Sequence, residues 1–215
     1  STSERDLGLQ VDAQLSFTDE VGTRVRKATR IMVAIRRSFA HLTEEMFRVL
    51  FKALVRPHLE YAVQVWSPRL KKDKERLEQV QRRATKMVGS LKNLTYEERL
   101  RKLGLPTLAY RRLRGDLIMT FKLMHGLVDC DSGTFFEPAS MTSTRGHCMK
   151  LAKQTARTAR RSSVFALRVV DAWNSLPESV VTAPSVKAFE TRLDDLWKEE
   201  DLMYKWDAAQ PNERA

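Results

Sequence analysis

Cysteine is scarce in this chain of 215 residues, which has only Cys130 and Cys148. Two cysteines are too few for a disulfide framework and favour a reducing intracellular compartment. No stretch approaches the ~18 uninterrupted apolar residues of a membrane-spanning helix, and the first residues, STSERDLGLQ, lack the basic and apolar segments of a signal peptide. The sequence therefore predicts an intracellular protein that does not enter a membrane.

Patterns typical of catalytic and metal sites are also lacking. The chain has no G-x-S-x-G, G-x-x-x-x-G-K or H-E-x-x-H motif. Its only adjacent aspartates, Asp194 and Asp195, lie between leucines in a helical pattern, so we interpret them as a solvated helix face and not as a two-metal site. A zinc site is disfavoured because two of its possible ligands, His147 and Cys148, are adjacent, and adjacent residues seldom bind one ion together. We expect no catalytic residue, no metal and no cofactor. The zinc ligands considered are His125, Cys130, His147 and Cys148.

Glycine and proline are few, with 8 and 7 residues, and apolar residues recur at steps of three and four, the spacing of one helix face. A second helix is predicted to begin after the N-cap Thr43 and to bury Phe47, Leu50 and Leu54. Pro57 then gives either a kinked continuation or a new helix. The first helix, over residues 19–40, is predicted to bury Val21, Val25, Ala28, Met32, Ile35 and Phe39.

Further helices are predicted on both sides of residue 128. Thr95 and Glu98 form a capping box, and Gly104 suits the left-handed position that ends a helix. Pro106 can begin the next helix. Two later helices cover about 162–175 and 186 onward, the second capped by Ser185. A seven-residue spacing, typical of a helix seam, relates Leu70, Leu77, Ala84 and Leu91, with Val80 and Met87 beside them.

The expected fold is mainly α, with at most a short β-hairpin near the N-terminus, within residues 1–17. A helical bundle covers residues 18–127, and a small helical C-terminal part covers residues 162–215. Between them, residues 128–161 lose the helical periodicity and are rich in Gly, Ser and Thr. We interpret that segment as a basic linker or arm.

Basic residues exceed acidic ones by 38 to 27, a net charge of +11 with a pI near 9.9. Residues 69–125 hold 16 Lys/Arg against 6 Asp/Glu, so nearly all of the excess lies there. A basic helix is often only a solvated surface, but this local excess favours the phosphates of a nucleic acid. We expect these cations to converge on one open groove. The candidate binding residues are Lys71, Lys72, Lys74, Arg76, Arg82, Arg83, Lys86, Arg111, Arg112 and Arg114.

A second basic segment follows, because residues 138–170 contain no Asp or Glu. This arm could dock on the acidic last helix when no polyanion is present. Trp66, Trp173 and Trp197 are candidates for stacking on bases, although tryptophan at helical spacing more often belongs to the core. The candidate binding residues of the arm are Arg145, Lys150, Arg157, Arg160 and Arg161.

Five blocks follow one another in the order DLGLQVDAQLSF, ALVRPHLEYAVQVWSPRLKKDKERLEQVQRRATKMV, LTYEERLRKLGLPTLAYRRLRGDLIMTFKLMHG, TRGHCMKL and RVVDAWNSLPESVVTAPSVKAFETRLD. From about residue 5 to residue 196, this series resembles the C-terminal end of a LINE-type, jockey and chicken-repeat-like non-LTR retrotransposon reverse transcriptase. The resemblance implies that residues 1–17 are a remnant of the polymerase palm hairpin. It implies that residues 18–127 are a thumb, which grips template and product, and that the region from TRGHCMKL to WNSLP contacts element RNA.

The chain also departs from that family. It contains no endonuclease domain and no catalytic Asp-Asp hairpin, Ala62 stands where relatives often have cysteine, and the end KEEDLMYKWDAAQPNERA matches no family block. We therefore expect a non-catalytic fragment of an RNA-directed DNA polymerase that binds RNA, an RNA–DNA hybrid or DNA. Its location would be nuclear or ribonucleoprotein-associated, with the missing palm or a second copy as further partner. The alternative is a helical protein–protein interaction module left by a decayed or domesticated element.

Overall fold

The structure is a computed structural model that describes residues 3–139, 146–198 and 201–207. Over these residues it is mainly helical, with a short hairpin near the N-terminus, which confirms the expected fold class. The chain divides into two compact units, Ser1–Arg112 with Tyr204–Trp206 and Leu113–Met203 with Asp207–Ala215. The division falls inside a helix, earlier than the predicted boundary at residue 127. The apolar pattern of that helix runs on without interruption, so the sequence carries no mark of the division.

The first unit contains the hairpin and most of the long helices. Its strands are β1 Ser3–Asp6 and β2 Leu9–Asp12. A π-helical turn, Phe51–Val55, joins its second helix to its third. The helices are α1 Thr18–Ser38, α2 Glu44–Leu50, α3 Arg56–Glu60, α4 Val63–Trp66, α5 Lys71–Thr85, α6 Tyr96–Leu103 and the first part of α7 Leu108–Met124.

Hydrogen bonds hold the hairpin of the first unit against α1. Its two antiparallel strands pair Ser3 with Asp12 and Asp6 with Leu9. Glu20 accepts a hydrogen bond from the Gln10 N–H at 2.9 Å, and the Arg24 guanidinium donates to the Gly8 carbonyl at 3.2 Å. Since Glu20 and Arg24 are themselves a buried ion pair on α1, this helix fixes where the hairpin lies.

The buried stripe of α1 is confirmed, but the predicted face of the second helix is wrong. Leu54 is 45% exposed. The buried residues are instead four positions apart. A π-helical turn holds more residues than an α-helical turn, so it changes which residues of this segment face the core. This turn passes directly into α3, so the chain at Pro57 is a continuation and not a new helix. The buried residues of this segment are Phe47, Phe51, Val55 and Leu59.

The predicted seam of α5 is buried at Leu77, Val80 and Ala84, as expected. The capping box of α6 is present, since Thr95 Oγ1 and the Glu98 carboxylate each bond the other residue's backbone N–H. The helix ends at Gly104, whose φ of 57° is the left-handed conformation that glycine adopts without strain. These local signals therefore place α5, α6 and the start of α7 correctly.

The second unit combines the rest of α7 with five short helices around an aromatic core. The rings of Phe121 and Phe189 lie 4.5 Å apart, and Trp173 is fully buried beside them. The predicted helix over 162–175 is broken into three pieces, whereas the Ser185 cap is confirmed by a bond from the Ala188 N–H. The helices are α8 Ala159–Ser162, α9 Phe165–Arg168, α10 Val170–Asn174, α11 Glu178–Val181 and α12 Val186–Leu196.

The segment predicted as a linker is packed in its described part. Phe136, His147 and Leu151 are buried. Leu151 also exchanges two hydrogen bonds with the Asn174 side chain, at 2.9 and 2.8 Å. The described part of the segment interpreted as a basic linker or arm is therefore packed against other residues. Its contacts come from distant parts of the chain, which a local periodicity does not reveal.

Candidate nucleic-acid interface

Helix α5 has two opposite faces, and the exposed one is basic. Its seam turns inward, while Lys72, Arg76, Arg83 and Lys86 are all exposed. Their spacing of four, seven and three residues keeps them on one side of the helix, over roughly 21 Å at 1.5 Å per residue. We call these four residues the α5 stripe. Lys71 is exposed at its edge.

Few carboxylates oppose the α5 stripe. Lys71, Lys72, Arg83 and Lys86 have no ion-pair partner among the described residues. Arg76 is the exception, since its Nη1 lies 3.2 Å from the buried carboxylate of Asp73. The stripe therefore presents a row of positive charge to solvent. Lys74, by contrast, is half-buried and makes interactions of its own, so it lies outside this row.

Arg82 lies on α5 but not on the open face. Its guanidinium is enclosed by two aromatic rings, with the centroid of Tyr96 at 5.0 Å and that of Trp206 at 5.3 Å. Its Nε is buried without a hydrogen bond to the described residues. A guanidinium in contact with two aromatic rings is less available to an external phosphate. Arg82 therefore contributes to packing, through a cation–π contact that the sequence does not predict.

Arg111 and Arg112 are also drawn into the first unit. Arg111 makes a two-point contact with Glu60, with Nη2 at 2.7 Å from Oε2 and Nε bonded to the other oxygen. Arg112 is only 7% exposed. Arg56 lies 3.9 Å from the same Glu60, and burial together with Arg111 lowers its pKa to about 10. These arginines do not join the open groove that the charge pattern predicted.

Beneath the α5 stripe, a buried carboxylate joins three helices. Glu78 Oε1 accepts from the Tyr96 hydroxyl at 2.6 Å, and Oε2 accepts from the Leu108 N–H at 3.0 Å. Burial raises the pKa of Glu78, against the opposing effects of these bonds and of Arg112. Glu78 thus caps the first turn of α7 and holds the inner side of α5 in place.

Arg114, in the second unit, is held by the last helix. Its Nε and Nη2 lie 2.6 and 2.9 Å from the two oxygens of Asp194, and Glu190 is 3.8 Å away. Asp194 is accordingly an ion-pair partner, and its neighbour Asp195 is exposed on the same helix. Among the described residues, the acidic helix accepts a basic residue from α7, Arg114.

The second unit has a smaller basic patch at α8. Arg157, Arg160 and Arg161 are exposed; the last two lie on α8, and Arg157 lies two residues before that helix begins. They have no ion-pair partner among residues 3–139, 146–198 and 201–207. Lys150 is half-buried and has interactions of its own, and Arg145 lies outside the described residues. Only part of the predicted arm therefore forms a described basic surface.

The three candidate stacking tryptophans belong to the core. Trp66 and Trp173 are 0% exposed and Trp197 is 5% exposed, which agrees with the more frequent role of tryptophan at helical spacing. Their indole rings are not accessible to a base. Trp206, which the sequence interpretation left aside, is the half-buried tryptophan that covers Arg82.

Arg26, an exposed cation near the α5 stripe, was not among the predicted binding residues. Arg26 lies on α1, where residues 1–68 are nearly balanced in charge. An alanine Cβ placed on Gly22 would lie 3.2 Å from Arg76 Nη2 and 3.3 Å from Arg26 Nη1. The two guanidinium groups therefore meet above this glycine. A buried glycine in mid-helix, one turn before an arginine, was the available signal.

Three of the four candidate zinc ligands make other contacts, while Cys130 is exposed. His147 bonds the Trp173 carbonyl, His125 bonds the Val181 carbonyl, and Cys148 donates to Glu178. Within the described ranges, no group of three or more His, Cys, Asp or Glu side chains could hold a metal ion. In the same ranges, no helix is long and apolar enough to cross a membrane.

Comparison of the chain with models of protein families, with curated proteins and with solved structures finds no match.

Proposed function

We propose that the first unit binds RNA or an RNA–DNA hybrid by its phosphates, as the C-terminal part of a retrotransposon reverse transcriptase without catalysis of its own. The α5 stripe carries this proposal. It supplies four exposed cations in one row, and Arg76 is the only one with an ion-pair partner among the described residues. The sequence resemblance favours nucleic acid over other polyanions.

The geometry supports contacts with phosphate and not with bases. Lysine and arginine side chains on a convex helix surface reach backbone oxygens, while the three core tryptophans are unavailable for stacking. Contacts with phosphate carry no direct sequence information. Binding should therefore be nearly independent of sequence and should weaken steeply as salt is added.

The test is a titration of a fluorescein-labelled RNA–DNA hybrid of ~20 base pairs with the whole chain at several salt concentrations. Each phosphate contact contributes about 0.9 to the slope of log K against log salt, or roughly eightfold in affinity between ~1 M and ~0.1 M salt. The variant K72Q/R76Q/R83Q/K86Q removes the stripe. It should reduce the slope by about 3.6 and the affinity at ~0.1 M salt by about four thousandfold, if each of the four side chains contacts one phosphate.

A matched variant separates the stripe from net charge. Arg36, Arg37, Arg48 and Lys52 are exposed elsewhere on the first unit and have no ion-pair partner in the described part of the chain. Their replacement by glutamine removes the same four charges and should leave the slope unchanged. Equal losses in the two variants would contradict the role of the α5 stripe. A wild-type chain that binds no RNA, hybrid or DNA, but forms a stable dimer in light scattering, would support the interaction-module alternative.

A further inference from the structure

The contact between α1 and α5 contains a feature that net charge and helix packing do not explain. Two guanidinium groups converge above Gly22, and their nitrogens, at 3.2 and 3.3 Å from the position of a Cβ there, are at most about 6.5 Å apart. Like charges at this separation repel each other, so an unoccupied pair is an unfavourable arrangement. Glycine also destabilises a helix interior relative to alanine.

The side chains around the pair orient it without cancelling its charge. Arg26 Nη2 donates to the hydroxyl of Thr23 at 2.9 Å, which is a neutral partner. Arg76 Nη1 lies 3.2 Å from Asp73, and this carboxylate also accepts from Thr18 at 3.0 Å. The Asp73 carboxylate is therefore divided between Thr18 and Arg76, while Arg26 and Arg76 together carry two positive charges. The pair keeps a net positive charge and several N–H groups that make no hydrogen bond among the described residues.

We propose that Arg26 and Arg76 form a clamp for a single phosphodiester of the bound nucleic acid, with Gly22 as the floor of the site. Guanidinium groups bind phosphate oxygens through paired N–H donors, and one phosphate between the two groups relieves their repulsion. Arg76 also belongs to the α5 stripe, so the clamp extends the phosphate-binding row from α5 onto α1. This inference rests on the proposed function and adds one residue from outside the basic segment.

Two sets of variants test the clamp with the same labelled hybrid. R26Q and R76Q should each weaken binding about threefold to tenfold at ~0.1 M salt. If one phosphate is shared, R26Q/R76Q should reduce the salt slope by about 0.9, whereas two separate phosphates would reduce it by about 1.8. A double variant whose losses multiply, with the larger change in slope, would overturn the shared site.

Gly22→Ala gives the sharper test because its effects on stability and binding should differ in sign. Alanine favours the helix, so the melting temperature should stay equal or rise, while the Cβ displaces the two guanidinium groups by a few tenths of an ångström and should weaken binding, though less than R26Q does. Gly89→Ala is the matched control, since Gly89 has open space around its Cβ position. Equal binding by the two alanine variants would overturn the clamp.

The outcomes also separate the clamp from the proposed function. If the α5 stripe variant loses the hybrid while R26Q and G22A bind like the wild type, the clamp is wrong and the proposed function stands. If the wild-type chain binds neither RNA nor the hybrid at low salt, both are wrong. Melting temperatures measured on every variant exclude loss of fold as the cause of weaker binding.

Discussion

Removal of the Glu78 carboxylate should destabilise the first unit more than any change on its basic surface. Glu78 accepts from the Tyr96 hydroxyl and from the Leu108 N–H, and it lies near the buried cation of Arg112. E78A leaves the Tyr96 hydroxyl and the Leu108 N–H without their acceptor, at about 1–3 kcal/mol each. We expect a loss of about 3–5 kcal/mol in the free energy of unfolding.

The assay is urea unfolding followed by circular dichroism. With a slope of about 2 kcal/mol per M urea, a loss of 4 kcal/mol moves the midpoint by roughly 2 M. The matched variant E78Q keeps the shape and one acceptor, and should lose roughly 1–2 kcal/mol. A midpoint shift below about 0.5 M for E78A would mean that these donors find other partners and that Glu78 does not organise the helices.

The dependence on pH tests the same carboxylate independently. Because burial raises the pKa of Glu78 above its ordinary value of 4.5, the folded state holds a proton that the unfolded state releases. The contribution of Glu78 to stability is therefore present below about pH 4.5 and declines as pH rises through the folded pKa. The wild-type protein should lose more stability than E78Q between pH 4.5 and pH 7.5. Parallel curves for the two proteins would contradict the raised pKa.

Three smaller changes test other contacts. Trp206→Ala removes one of the two rings that cover Arg82 and should lower the free energy of unfolding by about 0.5–1 kcal/mol, measured in urea; an unchanged midpoint would argue against the cation–π contact. Gly104→Ala forces a Cβ into a left-handed backbone and should lower stability by about 1 kcal/mol, measured in the same way. The hydrogen bond to Glu178 raises the pKa of the Cys148 thiol, so E178Q should speed its alkylation by iodoacetamide at pH 8, with the other cysteine as internal control in mass spectrometry.

Local signals in the sequence predicted much of the fold. The Thr43 and Ser185 caps, the Thr95 capping box and the Gly104 helix end all involve residues within a few positions of each other, so their spacing alone specifies the contact. The seam of α5 was predictable for the same reason, because a seven-residue repeat places its members on one face. Short stretches of sequence therefore specify these helix ends and buried faces.

The π-helical turn shows where a local rule fails. An uninterrupted α-helical period places Leu54 on the buried face, but one wider turn exposes it and buries Phe51 and Val55 in its place. The sequence between Thr43 and Pro57 fits either period equally well. The choice is made by packing against the other helices of the first unit.

For the basic surface, too, the local sequence determined some features and the tertiary structure determined others. Net charge by itself identified residues 69–125 as the basic segment, and helical spacing placed Lys72, Arg76, Arg83 and Lys86 on one side. Tertiary structure decided which cations stay open, since Glu60 and Asp194, distant in sequence, neutralise Arg111 and Arg114. It also decided that Arg26 meets Arg76 over Gly22. A sequence specifies how many charges a helix carries and on which face, but a partner's position depends on the packing of the whole unit.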